Sequence, residues 1–235
     1  MRKRIKIMAV VLIFVLGGVI GLQIRGREHE PVCEGKPLSY WLYLDAIPSL
    51  DDRSNLDTNA VPFLTQAIQK RETRVGRAYQ RLFPKLPSFI KGRVPRPRFA
   101  SVYRVNALRC LRLLAREQPS VAPLIGRALV QALQTNEDPG VRCQAAEVLT
   151  SLDRNDAQVA SQLCEAVINE KDPRVRAYVA YQLRFFERQP EMVVSALTDR
   201  LIDNDPRVRT RAAESLLAMK ANARVAVPIF IAGAQ

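Results

Sequence analysis

Apolar residues follow Asp138 at Val141, Ala145, Ala146 and Leu149, follow Asp172 at Val175, Val179, Ala180 and Leu183, and follow Asp205 at Val208, Ala212, Ala213 and Leu216. Steps of three and four residues put each set on one face of a helix. The three stretches also open alike, as Asp138-Pro139-Gly140-Val141-Arg142, Asp172-Pro173-Arg174-Val175-Arg176 and Asp205-Pro206-Arg207-Val208-Arg209, spaced 34 and 33 residues apart. Asp is a good N-cap because its carboxylate accepts from the first free amides, and Pro suits the first helical position because its missing donor has no partner there anyway. Each phrase therefore predicts a helix start, and the period predicts stacked helical units sharing one core.

A second helix is predicted after each of these, at about 156–168, at about 190–202 and from near Val225. An earlier copy lacks the Asp-Pro start but aligns through Tyr103, Arg104, Ala107, Leu108, Leu111 and Leu114, and is followed by a second helix at about 120–133. The second helices share a further signature: Ala60-Val61-Pro62-Phe63-Leu64, Val121-Ala122-Pro123-Leu124-Ile125 and Ala226-Val227-Pro228-Ile229-Phe230. Pro123 and Pro228 lie 105 residues apart, three periods of 35.

These residues resemble HEAT repeats of the short Asp-Pro-x-Val-Arg type, the kind also seen in phycobilin lyase-like proteins, over about residues 57–235. The order of Gly35-Lys36-Pro37-Leu38-Ser39-Tyr40-Trp41-Leu42, Asn59-Ala60-Val61-Pro62-Phe63-Leu64, Lys85-Leu86-Pro87 and Val94-Pro95-Arg96-Pro97 is similar to bacterial membrane-associated HEAT-repeat proteins, a likeness that implies no particular activity. The implied fold is an all-α, right-handed α-α superhelix of four to five helical hairpins. Its expected parts are a signal anchor at 1–27, N-terminal capping helices at 28–69, a basic Pro-rich insertion at 70–99 and the HEAT repeats at 100–235.

The anchor is read from Met1-Arg2-Lys3-Arg4-Ile5-Lys6 and the uncharged run from Ile7 to Ile24, which as a helix spans about 27 Å, close to a bilayer core. A cleavable secretory signal competes with this reading, but its apolar stretch is usually shorter, and Val19 and Gly21 make a poor cleavage site. Four basic residues precede the run, while Arg25 and Arg27 after it are soon followed by Glu28 and Glu30. The expected topology is therefore a single pass through the cytoplasmic membrane, N-terminus inside and repeats outside.

The net charge of +13 has two sources. Residues 1–27 carry six Lys/Arg and no acid, and residues 70–104 carry eleven against Glu72 alone. The second group supplies the candidate binding cations Arg74, Arg77, Arg81, Lys85, Lys91, Arg93, Arg96 and Arg98. Tyr79, Leu82, Phe83, Leu86 and Phe89 are expected to pack this insertion down, and Pro84, Pro87, Pro95 and Pro97 to prevent a long helix. Such a charge run is either a solvated face or an anion-binding flap. Outside the cell membrane the anions are lipid headgroups, an acidic protein or a polysaccharide, and nucleic acid enters only if the domain is cytoplasmic. Aromatic residues are too sparse for a base-stacking platform.

The ladder Asp138, Arg142, Asp172, Arg176, Asp205 and Arg209 admits a binding role, but the structural one is favoured, with Asp and Arg alternating between units through charge-assisted hydrogen bonds. His29, the sole histidine, sits in the tether, which excludes Ser-His-Asp or Cys-His chemistry within the repeats. The acidic pairs Asp153/Asp156, Glu170/Asp172 and Asp203/Asp205 fall at turns, where capping accounts for them. Cys110, Cys143 and Cys164 read as small core residues, whereas Cys33 is expected to be exposed. No cofactor or metal is implied.

The expected function is a non-enzymatic, membrane-tethered scaffold that binds a protein or peptide on its concave face. Anion binding by residues 70–104 is the alternative, and the apolar end at Ile229-Phe230-Ile231 is a candidate for self-association. With the outer layers permeabilised and the inner membrane intact, added protease should cut the repeats before lysis; protection until lysis would reverse the topology.

Overall fold

The computed structural model describes residues 30–33, 35–44, 58–97, 99–186, 188 and 190–219. The expected anchor at 1–27, the helix expected near Val225 and Arg98 lie outside the described residues. Among those described, no helix is long and apolar enough to cross a membrane.

A hairpin of two short strands, β1 (Val32–Cys33) and β2 (Lys36–Pro37), leads into α1 (Leu38–Leu42). Then come α2 (Ala60–Ile68), α3 (Arg74–Leu82), a 3-10 turn at Phe83–Lys85 and α4 (Ser88–Lys91). The repeats comprise α5 (Ala100–Glu117), α6 (Ala122–Thr135), α7 (Pro139–Leu152), α8 (Ala157–Asn169), α9 (Pro173–Leu183), α10 (Pro190–Asp199) and α11 (Pro206–Ala218).

The first helices α5, α7, α9 and α11 pack in sequence as one layer, and α2, α6, α8 and α10 follow one another as the second. A single apolar core runs between the layers from Leu38 to Met219. Val141, Val175 and Val208 are buried, as are Ala145, Ala180, Ala212, Leu149, Leu183 and Leu216. Small residues at mid-helix let neighbouring axes approach, and each buried leucine contributes about 2 kcal/mol. Ser215 Oγ, fully buried, donates to Ala180 O at 2.9 Å and satisfies itself across α11 and α9.

The start of the module departs from the all-helical expectation. β1 and β2 pair antiparallel around Gly35, whose φ of +69° lies in the left-handed region that favours glycine. The hairpin folds back on α1, with Trp41 Nε1 donating to Cys33 O at 2.8 Å. Cys33, expected to be exposed, is buried as a result. Burial pushes the Cys110 thiol up to about 12, with Cys33 close enough to add to the shift. Asn106 Nδ2 on α5 donates to Leu42 O at 3.1 Å and Leu44 O at 2.9 Å, tying this cap to the first repeat.

Each repeat phrase opens its helix through the Asp. Asp138 Oδ1 accepts from Gly140 N at 2.9 Å, Asp172 Oδ1 from Arg174 N at 2.9 Å and Asp205 Oδ1 from Arg207 N at 2.9 Å. In the last two copies the residue after Pro is Arg, and it grips its own cap: Arg174 Nη2 reaches Asp172 Oδ2 at 2.7 Å, and Arg207 Nη2 reaches Asp205 Oδ2 at 2.7 Å. The guanidinium beside each carboxylate lowers it from 3.8 to about 2. A carboxyl whose folded pKa is depressed contributes stability that is complete above 3.8 and lost as the pH falls towards 2. Urea midpoints should therefore drop across that window, and Asp172→Asn with Asp205→Asn, which retains both caps, should make the drop shallower.

Candidate functional site

The loop edge of the solenoid holds the predicted ladder, though not with the pairing expected. Arg142 reaches forward to Glu170, not Asp172, with Nε–Oε2 at 2.8 Å and Nη2–Oε1 at 3.0 Å, and its Nη1 donates to Asn136 O at 2.7 Å. Arg176 repeats this one unit later, pairing with Asp203 at 3.0 and 2.9 Å and donating to Glu170 O at 3.0 Å. Arg209 donates to Asp203 O at 2.8 Å. The acceptor in these two rungs is thus the residue two before the Asp, because one oxygen of Asp172 and Asp205 caps the helix and the other is held by Arg174 or Arg207. That same residue also accepts the amide of the Asp: Glu170 from Asp172 N at 2.8 Å, Asp203 from Asp205 N at 2.9 Å.

The first rung differs because its acceptor is the neutral Asn136. Arg104 instead pairs with Asp138 itself and donates to Lys70 O at 2.7 Å. Asn136 Nδ2 turns back to Ile68 O at 2.9 Å. Burial raises the Asp203 carboxyl, but Arg176, the Asp205 amide and Arg200 outweigh it and hold the group below its usual range. Arg104 itself was legible only as an aligned position, and the partner role of Glu170 and Asp203 lay hidden behind their capping role.

The candidate cations gather on the insertion. Arg74, Arg77 and Arg81 lie on α3, Lys85 on the 3-10 turn, Lys91 at the end of α4, and Arg93 and Arg96 in the following segment. Thr73 Oγ1 caps α3 by accepting from Gly76 N at 3.0 Å. Glu72 pins both ends, accepting from Gln80 Nε2 at 3.0 Å and from Ala100 N, the first residue of α5, at 2.8 Å. The Tyr79 hydroxyl donates to Pro95 O, and Lys91 Nζ donates to Pro84 O at 2.8 Å, so the returning segment lies against α3. The packing expectation fails for two of its residues. Tyr79, Phe83 and Leu86 are half-buried, but Leu82 and Phe89 are exposed.

A third feature had no signal in the repeat phrases. Between the second helices α6 and α8 runs a groove of about 660 Å³. Val130, Leu149, Leu152 and Val159 supply its apolar lining, and Arg127, Asp153, Asp156 and Gln158 its polar one. Gln134 Nε2 donates to Gln162 Oε1 at 3.0 Å across it. Gly126 also lines it, in the middle of α6, and a Cβ added there would meet only Leu152 Cδ1 at 3.9 Å. Such a groove can accept an apolar side chain while offering amides to a backbone. Asp153 and Asp156 at its end cap Asn155 N at 2.7 Å and Gln158 N at 2.7 Å.

A family model of HEAT repeats matches residues 126–217 and again 160–232. No curated protein matches the chain.

The Arg142 and Glu170 side chains retain 13% and 10% exposure, so removing one leaves the other charge stranded in a poorly solvated site. Glu170→Ala should cost about 3 kcal/mol in urea unfolding. Glu137→Ala, which removes the partner of Arg71 in a pair 79% and 57% exposed, should change little.

Proposed function

Since the chain is a HEAT-repeat protein, an architecture of protein-interaction scaffolds, we propose that it acts without catalysis, binding a protein or peptide partner on its concave face, with the α6–α8 groove as the contact. The observation that carries this reading is Gly126. A glycine in a helix interior costs about 0.5–1 kcal/mol against alanine, and packing around it leaves ordinary room for a methyl group. Its smallness keeps the groove between α6 and α8 open, which is a property of binding and not of folding. The apolar lining with Gln134 and Gln162 suits an extended peptide that inserts apolar side chains and bonds through its backbone.

In the same reading the leader 1–27 tethers the scaffold to the cytoplasmic membrane, with the repeats on the extracytoplasmic side. The support is the uncharged run from Ile7 to Ile24 behind a basic start. A tether raises the effective concentration of the groove for partners at the same surface.

Gly126→Ala should raise stability by about 0.5–1 kcal/mol and weaken partner binding, whereas Gly126→Trp should fill the groove and abolish binding. A photo-crosslinking residue at Arg127 of the full chain, expressed in its own cells, should form one dominant adduct that weakens in Gly126→Ala and is lost in Gly126→Trp. No adduct, or one that Gly126→Trp leaves unchanged, would overturn the assignment.

A further inference from the structure

The insertion carries an amphipathic pattern turned outside in. On α3 the side towards the rest of the insertion presents Gly76, Tyr79 and Gln80, all half-buried, while Val75, Ala78 and Leu82 face away. Val75 is 79% exposed, Leu82 58% and Phe89, on α4, 66%. Residues 75 and 82 differ by two helical turns, so Val75, Ala78 and Leu82 form one stripe, and Arg74, Arg77 and Arg81 form the stripe beside it. Lys85, Arg93 and Arg96 extend the basic side. Among the described residues, no carboxylate pairs with Arg74, Arg77, Arg81, Lys85, Arg93 or Arg96. The one acid of the segment, Glu72, is held by Gln80 and the amide of Ala100.

Exposed leucine, valine and phenylalanine near unpaired guanidinium groups match a surface with anions outside and hydrocarbon beneath. We infer that residues 74–97 dock on an anionic lipid surface, with Val75, Leu82 and Phe89 entering the acyl boundary and the arginines meeting the headgroups. The long arginine stems lie along the apolar stripe while their ends stay at the phosphate level. Nucleic acid fits less well, since phosphates offer nothing to Val75 and Leu82, and the exposed rings of the insertion among the described residues, Phe89 and Phe99, are too few for a row of stacked bases. The bonds from Glu72 and from Tyr79 to Pro95 fold the segment on itself with the stripe outward. The docking uses none of the groove residues and stands apart from the scaffold reading.

The test uses the full chain with an environment-sensitive dye on Leu82→Cys. Cys33, Cys110 and Cys164 are buried and the half-buried Cys143 thiol is raised to about 11, so labelling at neutral pH favours the new site. On phosphatidylglycerol vesicles the dye should shift to the blue and be quenched by brominated lipid, while a dye on Leu217→Cys, in the last described helix, should stay in water. Arg77→Gln and Arg81→Gln should each lower the docked-to-undocked ratio about fivefold, and phosphatidylcholine vesicles should give no docking. A Leu82 dye that stays in water on anionic vesicles, docks equally on neutral ones, ignores both glutamine variants, or moves only when an oligonucleotide is added would overturn the proposal.

Discussion

A helical hairpin cannot bury its apolar face alone, so each unit of this solenoid depends on how closely and in what register the next one sits. Here register is held at the loop edge by one guanidinium per unit. Arg142 binds the carbonyl of the loop behind it and both carboxylate oxygens of Glu170 in the loop ahead, and Arg176 does the same between Glu170 O and Asp203. The planar fork of arginine satisfies a carbonyl and a carboxylate at once, which a lysine could not do in the same geometry. Because Glu170 and Asp203 also accept the amides of Asp172 and Asp205, each rung joins inter-unit register to the start of the next helix. A slip of one unit would break a cap and an ion pair together.

That division of labour leaves the two edges of the stack unlike each other. On the ladder edge the polar groups are occupied by neighbours. Further along the second helices, α6 and α8 are bridged by a neutral amide pair, Gln134 with Gln162, and separated by the groove that Gly126 lines. Neutral amides exchange partners at low cost compared with desolvated ions. The second-helix layer is therefore the place where a ligand can compete with internal contacts without loosening the stack.

The helical repeat was legible because its causes are local: the Asp-Pro start, the three-and-four spacing and the 33–34 residue period all lie in short windows. The helix beginning at Ala100, without an Asp-Pro phrase, was still found from its buried positions Tyr103, Ala107, Leu108 and Leu111. What escaped was set by tertiary contact. Asp and Arg were taken as alternating between units, but the second oxygen of Asp172 and of Asp205 is taken by the arginine two residues on, so the partner fell to Glu170 and Asp203, whereas Asp138, followed by Gly140, caps its helix and still receives Arg104. Cys33 was misread because its burial depends on a hairpin made by Gly35 and on Trp41, not on any periodic pattern. The groove depends on the gap between two helices 36 residues apart at Gly126 and Gln162, and a single glycine in a helix carries no sign of what lies opposite it.

The arginines of this chain fall into two chemical populations that composition alone merges. Arg142 and Arg176 each have an acceptor waiting 28 and 27 residues downstream, one unit along the stack, and Arg104 has Asp138 at 34. Arg74, Arg77 and Arg81 have no such partner among the described residues, because the insertion falls outside the period and brings its own single acid, which is engaged in pinning the ends of the segment. A cation placed in register with a carboxylate is part of the frame, and its charge is cancelled within the molecule. A cation placed out of register keeps its field, and when exposed valine and leucine lie alongside it, the uncancelled charge and the unburied surface call for the same complement: an anionic layer over hydrocarbon.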